Sequence, residues 1–94
     1  MEQIAKNSTE WGKIIRERDK EICQRCKRYE PGQTPHHIKP KGRYPELSLH
    51  VSNGVYLGMR CHDWVHRNPR AAHYEGFIYI GKYDAMKGGL NDKI

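Results

Sequence analysis

The sequence predicts a small α+β domain, and three observations favour this class. Its 94 residues are enough for one hydrophobic core and too few for two. Apolar residues recur at helical spacing near the start, whereas short apolar segments farther on are bracketed by prolines or follow an Asn-Gly pair. Only 36% of residues are hydrophobic, so apolar burial alone would stabilise the fold weakly. Three cysteines and six histidines indicate that a metal supplies the remainder.

Residues 1–94 are expected to form this single domain, with a polar, flexible start over 1–7 and a flexible end over 87–94. The polar N-terminus does not resemble a signal peptide, and no apolar run approaches the roughly 20 residues that span a membrane. An odd number of cysteines argues against a disulfide framework. These features predict a cytoplasmic protein in a reducing compartment with no membrane partner.

The first helix is predicted over residues 8–20. Asn7 or Ser8 is the expected N-cap, and Glu10 falls in the first turn. The basic residues of this helix are expected to form a solvated face, which would make it a scaffold element. The apolar stripe, roughly helical in spacing, consists of Trp11, Ile14, Ile15 and Ile22.

Two short strands are predicted around an exposed basic loop. Pro35 and Pro40 bracket the first strand, residues 36–38, and exclude a helix there. Residues 39–50 form the loop. Asn53-Gly54 is a tight-turn signal that leads into the second strand, residues 55–57.

Three further elements are predicted after the second strand. A helix over residues 60–67 should end before Pro69, and Asn68 can cap another short helix that continues to about residue 74. The apolar run 77–80 is expected to be a third strand. These elements complete the α+β pattern.

The cysteines have the spacing of a partial zinc site. Cys23-x-x-Cys26 matches one half of a zinc knuckle, and Cys61 could add a third thiolate. Gly58 stands three residues before Cys61, where a fourth cysteine would complete a second pair. A structural Zn²⁺ must therefore recruit a histidine, a carboxylate or water, or bind poorly. Three ordinary buried cysteines, or a redox pair, are the alternatives.

The histidines form two pairs with different geometry. His62 and His66 are one helical turn apart and project from the same face, which suits one metal, or one metal ligand beside a phosphate contact. His36 and His37 are adjacent on a strand, so their side chains point to opposite faces. One can face a metal while the other acts as a general base, since imidazole titrates near neutral pH.

The charge balance favours a nucleic-acid partner. Seventeen Lys and Arg against eleven Asp and Glu give a net charge of +6 and a pI near 9.4. Such a surface suits contact with the DNA phosphate backbone, and little in the sequence indicates base-specific recognition. The candidate phosphate contacts, each with a solvated charge as its alternative, are Lys39, Lys41, Arg43, Arg60, Arg67 and Arg70.

The order of these motifs resembles the HNH endonuclease family, specifically its small phage-type members with a CxxC zinc knuckle. The matching residues are His36-His37-Ile38-x-Pro40, Asn53 at a turn, and the block LGMRCHDWVH that contains His62. The segment from Trp11 to Cys26 is similar to the family's first helix and knuckle. The resemblance covers roughly residues 10–70. It implies a ββα-metal (His-Me finger) fold, in which a two-stranded hairpin and a helix surround one divalent ion.

The resemblance also implies roles for single residues. His36 and His62 take metal-ligand positions, and His37 takes the general-base position. Asn53 would fix the loop joining the strands and so orient the base. His66 would either complete the metal shell or contact phosphate. Gly58 departs from the family pattern and puts the fourth ligand of the structural zinc in doubt.

The implied function is metal-dependent hydrolysis of DNA phosphodiester bonds, by nicking or by double-strand cleavage. The expected cofactor is one catalytic divalent ion, Mn²⁺, Mg²⁺, Ni²⁺ or Zn²⁺, of which imidazole ligands bind the transition ions more tightly than Mg²⁺. Phage or prophage origin in a bacterial host and phage packaging machinery as a partner also follow from the resemblance. The alternative is a non-catalytic, zinc-stabilised DNA-binding module.

Overall fold

The computed structural model describes residues 2–83, which form three complete helices, two short strands and two 3₁₀ turns, and residues 81–83 are also helical. The α+β class is thus confirmed. The strands pair antiparallel in one sheet. In chain order the elements are α1 (Ser8–Asp19), β1 (His36–His37), the 3₁₀ turns Pro45–Leu47 and Val51–Asn53, β2 (Gly54–Val55), α2 (Met59–Arg67) and α3 (Pro69–Glu75).

Helix α1 begins and ends close to its predicted bounds. Asn7 is the N-cap, and its Oδ1 accepts a hydrogen bond from the backbone N–H of Glu10 at 2.9 Å. The Glu10 carboxylate in turn accepts from the N–H of Lys6 at 3.0 Å, so both exposed donors are satisfied. Lys20 ends the helix in the left-handed conformation, with φ of 58°.

The sheet is shorter than predicted, and the Asn53-Gly54 turn is not a hairpin turn. His36 pairs with Val55 and His37 with Gly54, so the strands are joined by the long segment 38–53. Asn53 ends a 3₁₀ turn, and Gly54 already belongs to β2. Because no tight hairpin joins the strands, other contacts must hold this long connection in place.

The strand predicted over residues 77–80 is wrong. These residues form a bend, and the backbone N–H of Tyr79 makes one bond to the Ile38 carbonyl at 2.7 Å rather than a ladder. Phe77 and Ile78 instead pack against the core through their side chains. The apolar run therefore reflects burial, which a bend satisfies as well as a strand does.

The core has two parts on either side of β2. One joins α1 to the second 3₁₀ turn and contains Trp11, Ile15 and Tyr56; the other joins α2 and α3 to the cysteines. Gly54 is required where β2 crosses α1, since a Cβ there would lie 1.9 Å from Cδ1 of Ile15. A bare backbone at this position lets strand and helix pack in direct contact.

Arg18 is not part of a freely solvated face, contrary to the sequence-based expectation for α1. Its guanidinium donates to the carbonyls of Val51 at 3.1 Å and Gly54 at 2.8 Å. It also pairs with Asp19, whose carboxylate accepts from the N–H of Tyr56 at 3.0 Å. The end of α1 is thereby tied to β2 through side chains.

The start of the chain is also more ordered than predicted. Residues 2–7 run alongside residues 49–52: Ala5 donates to the Leu49 carbonyl at 2.9 Å, and Val51 donates to the Gln3 carbonyl at 2.9 Å. Ala5 is buried against Trp11 in the first part of the core. Burial of this small side chain explains why a polar segment is held in place. Met1 and the predicted flexible end 87–94 lie outside the described residues.

Among the helices within residues 2–83, none combines the length and apolar character needed to cross a membrane.

Candidate functional site

The three cysteines come together beside the start of α2. Cys23 and Cys26 lie in the turn after α1, and Cys61 lies in the first turn of α2. Their Sγ atoms all lie within 4.8 Å of one another. Sulfur atoms around a tetrahedral zinc ion are about 3.8 Å apart, because each Zn–S bond is about 2.3 Å long. The cluster can therefore bind a metal such as zinc after a small contraction.

The electrostatics of the cluster suit a cation. Burial opposes ionisation of the Cys23 thiol, but N–H groups of Cys26, Gly58 and Arg25 outweigh it and lower its pKa to about 7. Burial raises the pKa of Cys61 to about 11; Arg25 opposes that shift, and the neighbouring cysteines reinforce it. Without a cation, the cluster can hold one thiolate more easily than three, because the negative charges of neighbouring thiolates repel one another. A bound divalent ion removes this penalty, because its thiol ligands are deprotonated.

Three histidines form a second cluster on the other side of α2. His62 and His66 lie one turn apart, and their Nε2 atoms are 3.2 Å apart. The ring of His36 on β1 meets both edge-on, with centroid distances of 5.2 Å to His62 and 5.7 Å to His66. One nitrogen from each ring lies within 4.8 Å of the other two. Three imidazoles converging on one point form a donor set suited to a transition ion.

The ring of His36 has a nitrogen that is available to a metal. Its Nε2 is buried and has no hydrogen-bond partner among residues 2–83. The Phe77 backbone favours the protonated form of the ring, but burial opposes that form more strongly. A buried ring nitrogen without a hydrogen-bond partner can offer its lone pair to a metal.

The protonation state of His36 agrees with this role. Burial, and then the nearby His62 and His66, lower the pKa of His36 to about 4. Burial and His66 also lower the pKa of His62. The neutral imidazoles can therefore offer lone pairs at neutral pH, as metal binding requires.

His37 is held apart from the three-histidine cluster by two contacts. Its ring stacks on Trp11 with a centroid distance of 4.0 Å and an interplanar angle of 5°. Its Nε2 lies 2.9 Å from the backbone carbonyl of Ser48. A carbonyl only accepts hydrogen bonds, so the neutral ring carries its proton on Nε2 and its lone pair on Nδ1. The two contacts fix both the orientation and the tautomer of the ring.

Asn53 anchors the long connection between the strands. Its Oδ1 accepts from the Lys39 N–H at 2.8 Å, and its Nδ2 donates to the carbonyls of Lys39 at 3.1 Å and Leu47 at 3.3 Å. The side chain is buried. Because Leu47 directly precedes Ser48, this clamp also holds the carbonyl that binds His37.

One surface depression of about 310 Å³ brings the histidines into a common environment. His36, His37, His62 and His66 all line it, and Pro35, Pro40 and Ile78 complete the wall. A ligand in this depression could contact the three-histidine cluster and His37 together.

The six predicted phosphate contacts are all at least partly exposed. Three follow β1, namely Lys39, Lys41 and Arg43, and three lie on α2 and α3, namely Arg60, Arg67 and Arg70. The ammonium group of Lys39 lies 5.2 Å from the centre of the Tyr79 ring. Arg67 pairs with Asp63 at 3.1 Å on the exposed face of α2. Such exposed pairs contribute at most about 1 kcal/mol, so Arg67 can exchange Asp63 for another anion.

Two parts of this arrangement were not predicted from the sequence. The sequence places Trp11 on the apolar stripe of a scaffold helix, but its ring also stacks on that of His37. The Ser48 carbonyl, which sets the tautomer of that ring, carries no signal in the sequence because every residue has a backbone carbonyl. Only the three-dimensional path of the connection shows its role.

Searches with protein-family models, with curated protein sequences and with solved structures found no match to this chain.

Proposed function

We propose that this chain is a metal-dependent endonuclease of the HNH type that hydrolyses DNA phosphodiester bonds. The observation that carries the proposal is the pairing of a three-histidine cluster with a separately oriented fourth histidine in one depression. A site that served only to bind metal has no need for the fourth ring. The order β1, β2, α2, with histidines on β1 and α2, also agrees with a ββα-metal fold.

His36, His62 and His66 would hold the catalytic ion. The unpartnered Nε2 of His36 and the short distance between the other two Nε2 atoms support this assignment, and they favour His66 as a ligand. Three protein ligands leave coordination positions open, as in other catalytic sites. When bound, a divalent ion such as Mn²⁺, Ni²⁺, Zn²⁺ or Mg²⁺ would stabilise negative charge on the phosphate and on the departing oxygen.

His37 would act as the general base. Its bond to the Ser48 carbonyl leaves Nδ1 as the proton-accepting atom, and its stacking on Trp11 limits rotation of the ring. A water molecule within hydrogen-bond reach of Nδ1 could then lose its proton as it attacks phosphorus. General-base catalysis of this kind contributes about 10²–10⁴-fold to the rate. Asn53 would be a positioning residue, since it acts through the connection that carries Ser48.

The cations on both sides of the depression would bind the DNA backbone. The chain carries a net charge of +6, and the loop after β1 and the helices α2 and α3 present exposed Lys and Arg. Backbone contacts release counterions, so the affinity should fall steeply as salt increases. In this proposal the cysteine cluster holds a structural zinc that stabilises the domain and takes no part in hydrolysis.

Incubation of supercoiled plasmid with the folded protein tests the proposal. We expect nicked or linear products with Mn²⁺ and none with EDTA. The decisive variant is His37→Phe, which keeps an aromatic ring against Trp11 but has no proton acceptor. Cleavage should fall by about 10²–10⁴-fold, while metal content and salt-dependent DNA binding are retained.

His50→Ala is the matched control, because His50 lies outside the three-histidine cluster and outside the depression. This variant should cleave like the parent protein. Full activity in His37→Phe would remove His37 as the base. A folded, metal-loaded parent that binds DNA without cutting it would instead support the non-catalytic DNA-binding module.

A further inference from the structure

The space beside Gly58, where the cysteine cluster lacks a fourth thiolate, is filled by a carboxylate. A Cβ built on Gly58 would lie 2.0 Å from Oε2 of Glu30, and 2.4 Å from its Cδ. The Glu30 carboxylate therefore occupies the space that a side chain at position 58 would need.

Glu30 also faces the cysteines directly. Its Oε2 lies 4.0 Å from Sγ of Cys26. A sulfur and an oxygen bound to the same tetrahedral zinc ion are about 3.6 Å apart, given usual Zn–S and Zn–O lengths. The oxygen does not lie within 4.8 Å of all three sulfurs, so ligation requires a rotation of the Glu30 side chain. A flexible side chain can make such a change at small cost.

The backbone of Glu30 is held on both sides, so only its side chain needs to move. Its N–H donates to the carbonyl of Glu21 at 2.9 Å. Its own carbonyl accepts a hydrogen bond from the hydroxyl of Tyr56, a fully buried residue. These bonds hold the backbone of Glu30, a half-buried residue, beside the knuckle.

A positive group offsets part of the negative charge. Three thiolates and one carboxylate around a divalent ion leave a net charge of −2. Arg25 lies beside the cluster, with one guanidinium nitrogen 3.8 Å from Sγ of Cys61 and the guanidinium carbon 3.6 Å from the centre of the Trp64 ring. Hydrogen bonds to thiolate ligands are a common way to stabilise such a charge.

We propose that Glu30 is the fourth ligand of the structural metal site and replaces the cysteine that Gly58 excludes. The site is then Cys23, Cys26, Cys61 and Glu30, closed by four protein ligands as structural zinc sites are. This assignment is independent of catalysis at the three-histidine cluster. It also gives Gly58 a function, since a side chain there would displace the carboxylate from the cluster.

A double-mutant cycle tests the proposal with Co²⁺ as the probe, because only ions bound by cysteine show sulfur-to-cobalt charge-transfer absorption. Glu30→Ala should weaken Co²⁺ and Zn²⁺ binding at the cysteines by at least about tenfold, since loss of an outer-shell partner already costs about 10- to 100-fold. Gly58→Cys should bind with four thiolates, and its charge-transfer intensity per cobalt should rise by about one-third.

The decisive comparison is Glu30→Ala within the Gly58→Cys background. There the carboxylate is no longer a ligand, so the double variant should bind Co²⁺ as tightly as Gly58→Cys alone and fold normally. Glu17→Ala, which removes an exposed carboxylate from α1, is the matched control and should change nothing. Unchanged affinity in Glu30→Ala, or an equal loss in both backgrounds, would overturn the assignment.

Discussion

Replacement of Asn53 by alanine should destabilise the protein by about 3 kcal/mol. The side chain makes three hydrogen bonds, one to the N–H of Lys39 and two to the carbonyls of Lys39 and Leu47. Each contributes about 0.5–1.5 kcal/mol, and the partly buried backbone groups left without this partner add to the cost. In a domain of this size, whose total stability is about 5–10 kcal/mol, such a loss should lower the melting temperature by about 10–20 °C.

Urea unfolding at fixed metal concentration measures this loss. Asn68→Ala is the matched control, because its side chain makes one exposed hydrogen bond, to the carbonyl of Trp64. It should cost less than about 1 kcal/mol. A loss below about 1 kcal/mol in Asn53→Ala, or one no larger than in Asn68→Ala, would refute the idea that this amide holds the connection between the strands.

Two further predictions concern packing and pH. Gly54→Ala should destabilise the fold by about 1–3 kcal/mol, since its methyl group would lie 1.9 Å from Cδ1 of Ile15. Urea unfolding measures this loss, and an unchanged urea midpoint would contradict the close approach of β2 to α1. In metal-free protein, the pKa of His36 is about 4, below its usual value of 6.5. Between these pH values the unfolded chain therefore binds a proton on His36 that the folded protein does not bind. The free energy of unfolding should fall by up to about 3 kcal/mol as the pH is lowered from 7 to 4, and thermal unfolding of His36→Gln should show a smaller fall.

The helices were predictable because their signals are local. The Asn7 cap, the apolar spacing of α1 and Pro69 at the start of α3 each act within one or two turns, so the sequence alone places these helices to within about one residue. The side chain of Asn68 does not cap α3 as predicted, because it donates to the Trp64 carbonyl in α2. The α+β class follows from the same local patterns. The prolines on either side of His36 and His37 likewise restrict that segment to an extended form.

The features that sequence reasoning missed depend on contacts between distant residues. Residues 77–80 carry a strand-like composition, but whether they pair depends on a partner strand that composition does not specify. The guanidinium of Arg18 reaches Gly54 across 36 positions, and nothing in α1 distinguishes it from a solvated cation. Glu30 is one of eleven acidic residues, and nothing in the sequence distinguishes it from the others. The missing cysteine at Gly58 indicates that a zinc ion bound by the three cysteines would need a fourth ligand, but not which residue provides it.

Helix α2 connects the two clusters, and its geometry explains why neighbouring residues belong to different clusters. Successive residues on a helix diverge by about 100°, so Cys61 faces the buried knuckle while His62 faces β1. An ion held by the cysteines would restrain rotation of α2 about its axis. That rotation also determines how closely His62 and His66 approach the buried nitrogen of His36. A complete ligand set at the knuckle would therefore favour the proposed ion site at the three-histidine cluster, since a loosely held helix would spread the three nitrogens apart.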